Sequence, residues 1–91
     1  MAIKAENVQW TVLAWQEFEY WLDTDKQQVK KIRQLIKDCL RSGYEGIGKP
    51  EALREDKQGL WSRRIDQEHR LIYYFEGERL IIVSCRFHYD N

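Results

Sequence analysis

The sequence contains few residues that could form disulfides or bind metal ions, and no long apolar run. Two cysteines and two histidines are dispersed among 91 residues, a spacing that fits neither a zinc site nor a disulfide framework. Cys39 and Cys85 lie within apolar stretches, which predicts buried thiols in a reducing compartment. Apolar runs such as Leu80 to Val83 are far shorter than a membrane span or the core of a signal peptide. We therefore expect a soluble, cytoplasmic chain with no membrane contact and no metal or other cofactor.

An excess of charge of either sign is also missing, because 15 basic residues balance 15 acidic ones. A net charge of zero at first argues against a nucleic-acid partner, since such proteins usually carry a basic excess. The distribution is uneven, however. Residues 1–25 contain one lysine and five acidic residues, whereas residues 26–70 contain twelve basic and seven acidic ones. The basic middle is either a surface for phosphate or an ordinary solvated helix face, Lys30, Lys31 and Lys37 included.

The length and the hydrophobic content of 43% indicate one domain, residues 1–91, with one core. A short strand is predicted at 8–10, and apolar residues at helical spacing predict a first helix over about 12–23. Thr24 and Asp25 can cap a second helix, which Arg41 and Gly43 would end. The break between the helices has room only for a tight helical hairpin.

Beyond a loop rich in glycine between Gly43 and Pro50, the periodicity changes from helical to alternating. Alternation predicts strands at 61–66, 70–75 and 81–88, with a hairpin at 76–78 and a short fourth strand near 52–54. The connections make these strands a meander. The fold class is therefore α+β, with two N-terminal helices packed on one face of a mainly antiparallel sheet.

If the apolar side of each strand faces the helices, a set of polar side chains projects from the other, open face. These side chains are Arg64, Arg70, Arg86 and His88. An electropositive face of this kind suits a phosphate backbone. His69 falls on the apolar side instead, which predicts a hydrogen-bonded structural residue.

Cleavage of RNA without a metal needs a base for the 2′-hydroxyl, donors for the charge that develops at phosphorus and an acid for the leaving 5′-oxygen. Glu51 can be the base and His88 the acid, while Arg64 and Arg70 offer forked donors. Tyr89 can stack on a base. Each residue also has a structural interpretation, with Glu51 and His88 as surface groups and the arginines in cross-strand ion pairs.

Several blocks along the chain resemble the YoeB toxins, which belong to the RelE-like superfamily of bacterial toxin–antitoxin systems. The likeness spans about residues 7–89, and its most specific blocks are Trp61-Ser-Arg-Arg-Ile65 and Glu68-His-Arg-Leu71. Weaker matches include Thr24-Asp-Lys, Val29-Lys-Lys-Ile, Leu35-Ile-Lys-Asp, Glu45-Gly, Gly48-Lys-Pro-Glu51, Gly59, Tyr73, Cys85-Arg and His88-Tyr89. The resemblance implies a RelE-like fold, similar to microbial ribonucleases, and a ribosome-dependent endoribonuclease that cuts mRNA in the A site.

Residue by residue, the resemblance implies a general base at Glu51, a phosphate-stabilising arginine at Arg70 and a general acid at His88. Lys49, Arg64 and Tyr89 match positions that support substrate binding or catalysis. The chain departs from the family at Ala52, where a second proline is usual, and in its extensions at residues 1–5 and 90–91.

The implied partners are a YefM-type antitoxin, the 70S ribosome and mRNA, with operator DNA reached only through the antitoxin and a homodimer possible. A different class of function also remains open. Relatives of the ParE type share the fold and act on gyrase, so a binding protein without catalysis, or an antitoxin-bound corepressor, is the alternative. The complete set of Glu51, Arg70 and His88 favours cleavage.

Overall fold

The computed structural model describes residues 5–54 and 59–87. Along the chain the elements are β1 (Asn7–Trp10), α1 (Val12–Thr24), α2 (Lys26–Ser42), β2 (Glu51–Ala52), β3 (Trp61–Arg64), β4 (Arg70–Glu76) and β5 (Arg79–Ser84). Strands β2 to β5 form an antiparallel meander, and β1 returns parallel to β5, so that the sheet order is β1-β5-β4-β3-β2. The predicted α+β class and the mainly antiparallel sheet are confirmed.

The two helices form the tight hairpin that the sequence predicts, with a single residue between them. Asp25 caps α2, because its carboxylate accepts hydrogen bonds from the backbone N–H groups of Gln27 and Gln28. Gly43 ends α2 with a φ of 67°, a conformation that glycine adopts without steric cost. Thr11 caps α1 and also donates its hydroxyl to the Val83 carbonyl at 2.7 Å, which ties α1 to β5.

The core lies between the helices and one face of the sheet. Its fully buried members include Ile32, Leu35, Leu71 and Leu80. Both cysteines are buried and free, as predicted, and burial raises the pKa of the Cys39 thiol to about 11 and that of Cys85 to about 12. Neither thiol is therefore ionised at neutral pH.

In strand β5, the even-numbered residues face the helices, although the sequence predicts that they face away from them. Leu80 and Ile82 join the core, whereas Ile81 lies on the other face of the sheet, opposite Tyr74. The pairing with β4 also shifts by one residue, which leaves Val83 out of register. The run Leu80 to Val83 is apolar throughout, so the sequence contains no alternation that could show which side faces the helices.

The last strand is also shorter than predicted, because it ends at Ser84 rather than continuing to residue 88. The third strand likewise ends at Arg64. Within residues 5–54 and 59–87, neither helix is long and apolar enough to cross a lipid bilayer.

Candidate active site

One face of the sheet gathers most of the described candidate residues. Glu51 pairs with Ser62 across β2 and β3, and Arg64 pairs with Arg70 across β3 and β4. Cross-strand partners point to the same side of a sheet, as do residues two apart on one strand. Glu51, Arg64 and Arg70 therefore share the face that points away from the helices. The predicted placement of Arg64 and Arg70 on the open face is confirmed, and the pairing of β2 with β3 adds Glu51 to it.

The two arginines on this face stand directly opposite each other. The Arg64 side chain is exposed, whereas Arg70 is half-buried and turns its Nη1 toward the connection between β3 and β4. There Nη1 donates to the carbonyl oxygens of Asp66 at 2.8 Å and His69 at 3.1 Å. These bonds fix one edge of the Arg70 guanidinium on the surface of the sheet, which gives a site for an anion a defined orientation.

Lys49 reaches the same region through an irregular stretch of backbone. Gly48 and Lys49 both have positive φ, 81° and 53°, and the Gly48 carbonyl accepts a hydrogen bond of 2.6 Å from the Arg64 N–H. The residue after Gly48 is therefore held beside the end of β3. Lys49 is exposed, and its left-handed conformation is uncommon for a residue with a side chain.

His88 and Tyr89, the predicted acid and the predicted stacking residue, lie outside the described residues. The chain that leads to them is described as far as Phe87. The Phe87 N–H donates to Nδ1 of His69 at 2.7 Å, and its carbonyl accepts from the Arg70 N–H at 2.8 Å. Phe87 has a φ of 65°, which costs energy for a bulky side chain and must be held by its surroundings.

Three further side chains fix this C-terminal stretch, and two of them, Glu17 and Trp21, were not selected from the sequence. The Glu17 carboxylate accepts a hydrogen bond of 2.8 Å from the Cys85 N–H, and the indole of Trp21 donates to the Cys85 carbonyl at 2.9 Å. Burial raises the pKa of Glu17, although the Cys85 N–H and the charge of Arg86 oppose that rise. His69 completes the set as an acceptor, so the prediction of a hydrogen-bonded structural histidine is confirmed.

Arg86 does not lie on the open face of the sheet, and this part of the sequence prediction is wrong. Its guanidinium stacks 3.7 Å from the centre of the Tyr20 ring, on the side of helix α1. The cause is the early end of β5 together with its register shift, after which the alternation of a strand no longer applies. The open face is also less polar than predicted, because Ile72 and Ile81 lie on it and are buried.

Arg63 lies in the same Trp61-Ser-Arg-Arg-Ile65 block as Arg64, but it is fully buried on the helix side of the sheet. The sequence indicates this burial, because Arg63 lies on the same side of the strand as Trp61 and Ile65. An arginine on an apolar side must find buried partners. The partner is Asp38 of α2, whose carboxylate lies 2.6 Å from Nη1 of Arg63. Within the described parts of the chain, no three His, Cys, Asp or Glu side chains gather as ligands for a metal ion.

Comparison with known proteins identifies the family of the chain. Residues 10–89 match the model of a family described as the YoeB-like toxin of bacterial type II toxin–antitoxin systems. The chain belongs to the YoeB toxin family. Toxin YoeB of Escherichia coli strain K12 is 50% identical over 80 residues, which cover 88% of this chain and 95% of that protein.

Solved structures of YoeB proteins share the fold. The YoeB/ParE toxin from Agrobacterium tumefaciens superposes with a TM-score of 0.87 at 45% identity, over 91% of this chain and 99% of that one. The Staphylococcus aureus YoeB is 43% identical over 91% of this chain and 97% of its own, both as a dimer (TM-score 0.86) and in a heterotetrameric YoeB-YefM complex (TM-score 0.85). The chain is therefore a YoeB-like toxin of a type II toxin–antitoxin system with a RelE-like fold.

Proposed function

We propose that this YoeB-like toxin is a ribosome-dependent endoribonuclease that cuts mRNA in the A site by acid–base catalysis without a metal. The observation that carries the proposal is the placement of Arg64 opposite Arg70 on the same sheet face as Glu51. Two guanidiniums bind the nonbridging oxygens of a phosphodiester, and a carboxylate on their face can act on the adjacent 2′-hydroxyl.

In the proposed reaction, Glu51 removes the proton from the 2′-hydroxyl as the 2′-oxygen attacks phosphorus. The bond between phosphorus and the 5′-oxygen breaks, and His88 donates a proton to that oxygen. The products are a 2′,3′-cyclic phosphate and a free 5′-hydroxyl. Glu51 has then taken up one proton, and His88 has released one. Arg70, with one edge fixed by backbone carbonyls, stabilises the negative charge that develops on the phosphorane.

Three further residues would hold the substrate. Arg64 is exposed opposite Arg70, Lys49 is exposed near the end of β3, and both would bind the phosphates that flank the cut. Tyr89 would stack on a base of the codon. Glu51 is exposed and lies at the start of a two-residue strand. The rate of cleavage would depend on how well its carboxylate is placed against the bound 2′-hydroxyl.

The need for the ribosome follows from charge. A protein of zero net charge attracts free RNA weakly, and its acidic first 25 residues would repel phosphate. We propose that the ribosome holds the codon with the 2′-oxygen, phosphorus and 5′-oxygen near a line, which removes the entropic cost of that alignment. The exposed Lys30 and Lys37 on α2 would contact ribosomal RNA.

The partners follow from the relatives. YoeB of Staphylococcus aureus forms a heterotetramer with YefM and also a dimer. We propose that a YefM-type antitoxin binds this toxin, covers the basic sheet face and carries the pair to operator DNA, with a homodimer as the free form. Acidic residues of the antitoxin would complement Arg64 and Arg70. The site of action would be the cytoplasm, where the ribosomes are.

The test compares cleavage of ribosome-bound mRNA by the wild type with that by Glu51→Gln and His88→Gln. Loss of an acid or base should lower the rate by about a hundredfold to ten-thousandfold, and growth arrest on expression should disappear. The matched control is Glu78→Gln, which changes an exposed glutamate in the hairpin between β4 and β5. Folded Glu51→Gln protein that still arrests growth at wild-type strength would reject the proposal and favour a ParE-like toxin that binds another target.

A further inference from the structure

The loop between α2 and β2, residues 43–50, is organised around one buried guanidinium. Arg63 carries five N–H donors, and all five have a hydrogen-bond acceptor. Three of these bonds end on carbonyl oxygens of the loop, those of Gly43 at 2.8 Å, Ile47 at 3.1 Å and Glu45. The other two end on the Asp38 carboxylate at 2.6 Å and the Tyr73 hydroxyl at 3.0 Å.

Asp38 holds the loop from the other side of the same cluster. Its Oδ2 accepts both from Arg63 and from the backbone N–H of Ile47, at 2.9 Å. Gly46 passes so close that a Cβ built on it would lie 1.9 Å from that oxygen, so no other residue fits there. Burial alone would raise the pKa of Asp38, but the bonds from Arg63, Ile47 and Arg41 outweigh it and lower the pKa to about 2. The carboxylate is therefore charged throughout the physiological range.

The path of this loop determines where the candidate site residues stand. Gly48 packs against the Arg63 side chain, where a Cβ would meet Cβ of Arg63 at 3.2 Å, and its carbonyl binds the Arg64 N–H. Lys49 follows at once, and Glu51 begins β2. Strand β2 has only two residues, paired to Ser62 and Trp61. The loop leads directly into this strand, so its path determines where Glu51 begins β2.

We propose that Arg63 and Asp38 are positioning residues of the cleavage site, which fix loop 43–50 and thereby aim Lys49 and Glu51 at the phosphate held by Arg64 and Arg70. The proposal rests on the proposed function. A buried ion pair is a poor source of stability, because apolar residues of similar volume serve as well or better. What apolar residues cannot do is bind three carbonyls and one N–H of an irregular loop.

The first test variant is Arg63→Lys, which keeps the charge but offers three donors in place of a fixed fork of five. Its matched control is Arg79→Lys, the same change at an exposed ion pair with Glu76. Single-turnover cleavage on programmed ribosomes is measured at a temperature where circular dichroism shows both variants folded. We expect the maximal rate of Arg63→Lys to fall by about tenfold to a hundredfold, with half-saturation unchanged, since a misplacement near 1 Å has this effect. Arg79→Lys should keep the wild-type rate.

A second readout does not depend on activity. Hydrogen exchange of the Ile47 and Arg64 amides should accelerate in Arg63→Lys and stay slow in Arg79→Lys, because both amides bond within this cluster or to the loop. If Arg63→Lys does not fold, Gly46→Ala keeps both charged groups in the sequence but forces the loop away from the Asp38 carboxylate, and the same losses of rate and protection are expected.

The outcomes separate the two proposals. A wild-type protein that does not cleave at all rejects the proposed function, and with it this role for the pair. If the wild type cleaves, and a folded variant with fast-exchanging loop amides cleaves at the wild-type maximal rate, the proposed function stands and the positioning role is wrong. A lower maximal rate together with lost protection supports both.

Discussion

Arg64 and Arg70 are direct cross-strand partners, so their side chains leave the sheet next to each other on its open face. Like charges in this arrangement destabilise a sheet. The carbonyls that bind Nη1 of Arg70 offset part of the repulsion, and Arg64 remains exposed. Such an arrangement is explained by a ligand of opposite charge, since a bound phosphate or carboxylate converts the repulsion into binding energy.

Removal of one of these charges should therefore stabilise the free toxin while it weakens function. We expect Arg64→Ala to raise the free energy of unfolding by about 0.2–1 kcal/mol, the usual size of a cross-strand charge effect, and the gain should shrink as salt screens the repulsion. Urea denaturation at low and high ionic strength measures it, with Arg33→Ala at an exposed position of α2 as control. A loss of stability at every salt concentration would show that the two arginines do not repel each other.

The buried carboxylate of Asp38 should make the fold sensitive to acid. Its pKa in the folded state is about 2, below the ordinary value of 3.8. The stability that it contributes is present above pH 3.8 and is lost as the pH falls toward 2. In Asp38→Asn this part of the pH dependence should disappear, and stability at neutral pH should fall by about 3–5 kcal/mol, because the Arg63 charge loses its partner. Asp23→Asn, at an exposed position of α1, is the control.

Glu17 should make the stability of the fold depend on pH in the opposite direction. Its pKa is raised by burial from the ordinary value of 4.5, so its contribution to stability is greatest below pH 4.5 and is lost as the pH rises through the folded value. The charged group that faces it is Arg86, and His69 lies nearby. We expect Glu17→Gln to gain stability relative to the wild type as the pH rises from 4 to 8. A stability difference that stays constant over that range would contradict this assignment.

How much the sequence alone predicts depends on which interactions place a residue. Helix α2 follows from its capping Asp25 and its apolar spacing, which are local signals. The placement of Arg64 and Arg70 on one face follows from strand alternation on β3 and β4, where one side is polar. These are the parts of the fold and site that were predicted correctly.

The errors arise where contacts distant in sequence decide the outcome. Strand β5 is apolar on both sides, so its facing could not be predicted, and the turn after Ser84 depends on Glu17, Trp21 and His69. The sequence around Arg63 does not show its partner, because Asp38 lies 25 positions earlier and meets Arg63 only in the folded chain. A charged residue on the apolar side of a strand is the signal that could have indicated this burial.

The lysines of α2 should control affinity rather than rate. We expect Lys30→Ala and Lys37→Ala to raise the ribosome concentration needed for half-saturation and to reduce its salt dependence by about one unit of slope per lost phosphate contact, with the maximal rate kept. Arg70→Ala should instead lower the maximal rate. Arg79→Ala, at the far hairpin, is the matched control. Equal kinetics for wild type and both lysine variants would exclude α2 from the contact with ribosomal RNA.

The most direct test of the central claim measures cleavage of one mRNA in two states, bound to programmed ribosomes with the test codon in the A site and free in solution at the same concentration. The account predicts rapid cleavage within that codon on the ribosome, dependent on Glu51 and Arg70, and little or no cleavage of the free RNA. Equal rates on the two substrates, or no cleavage of the ribosome-bound codon, would contradict it.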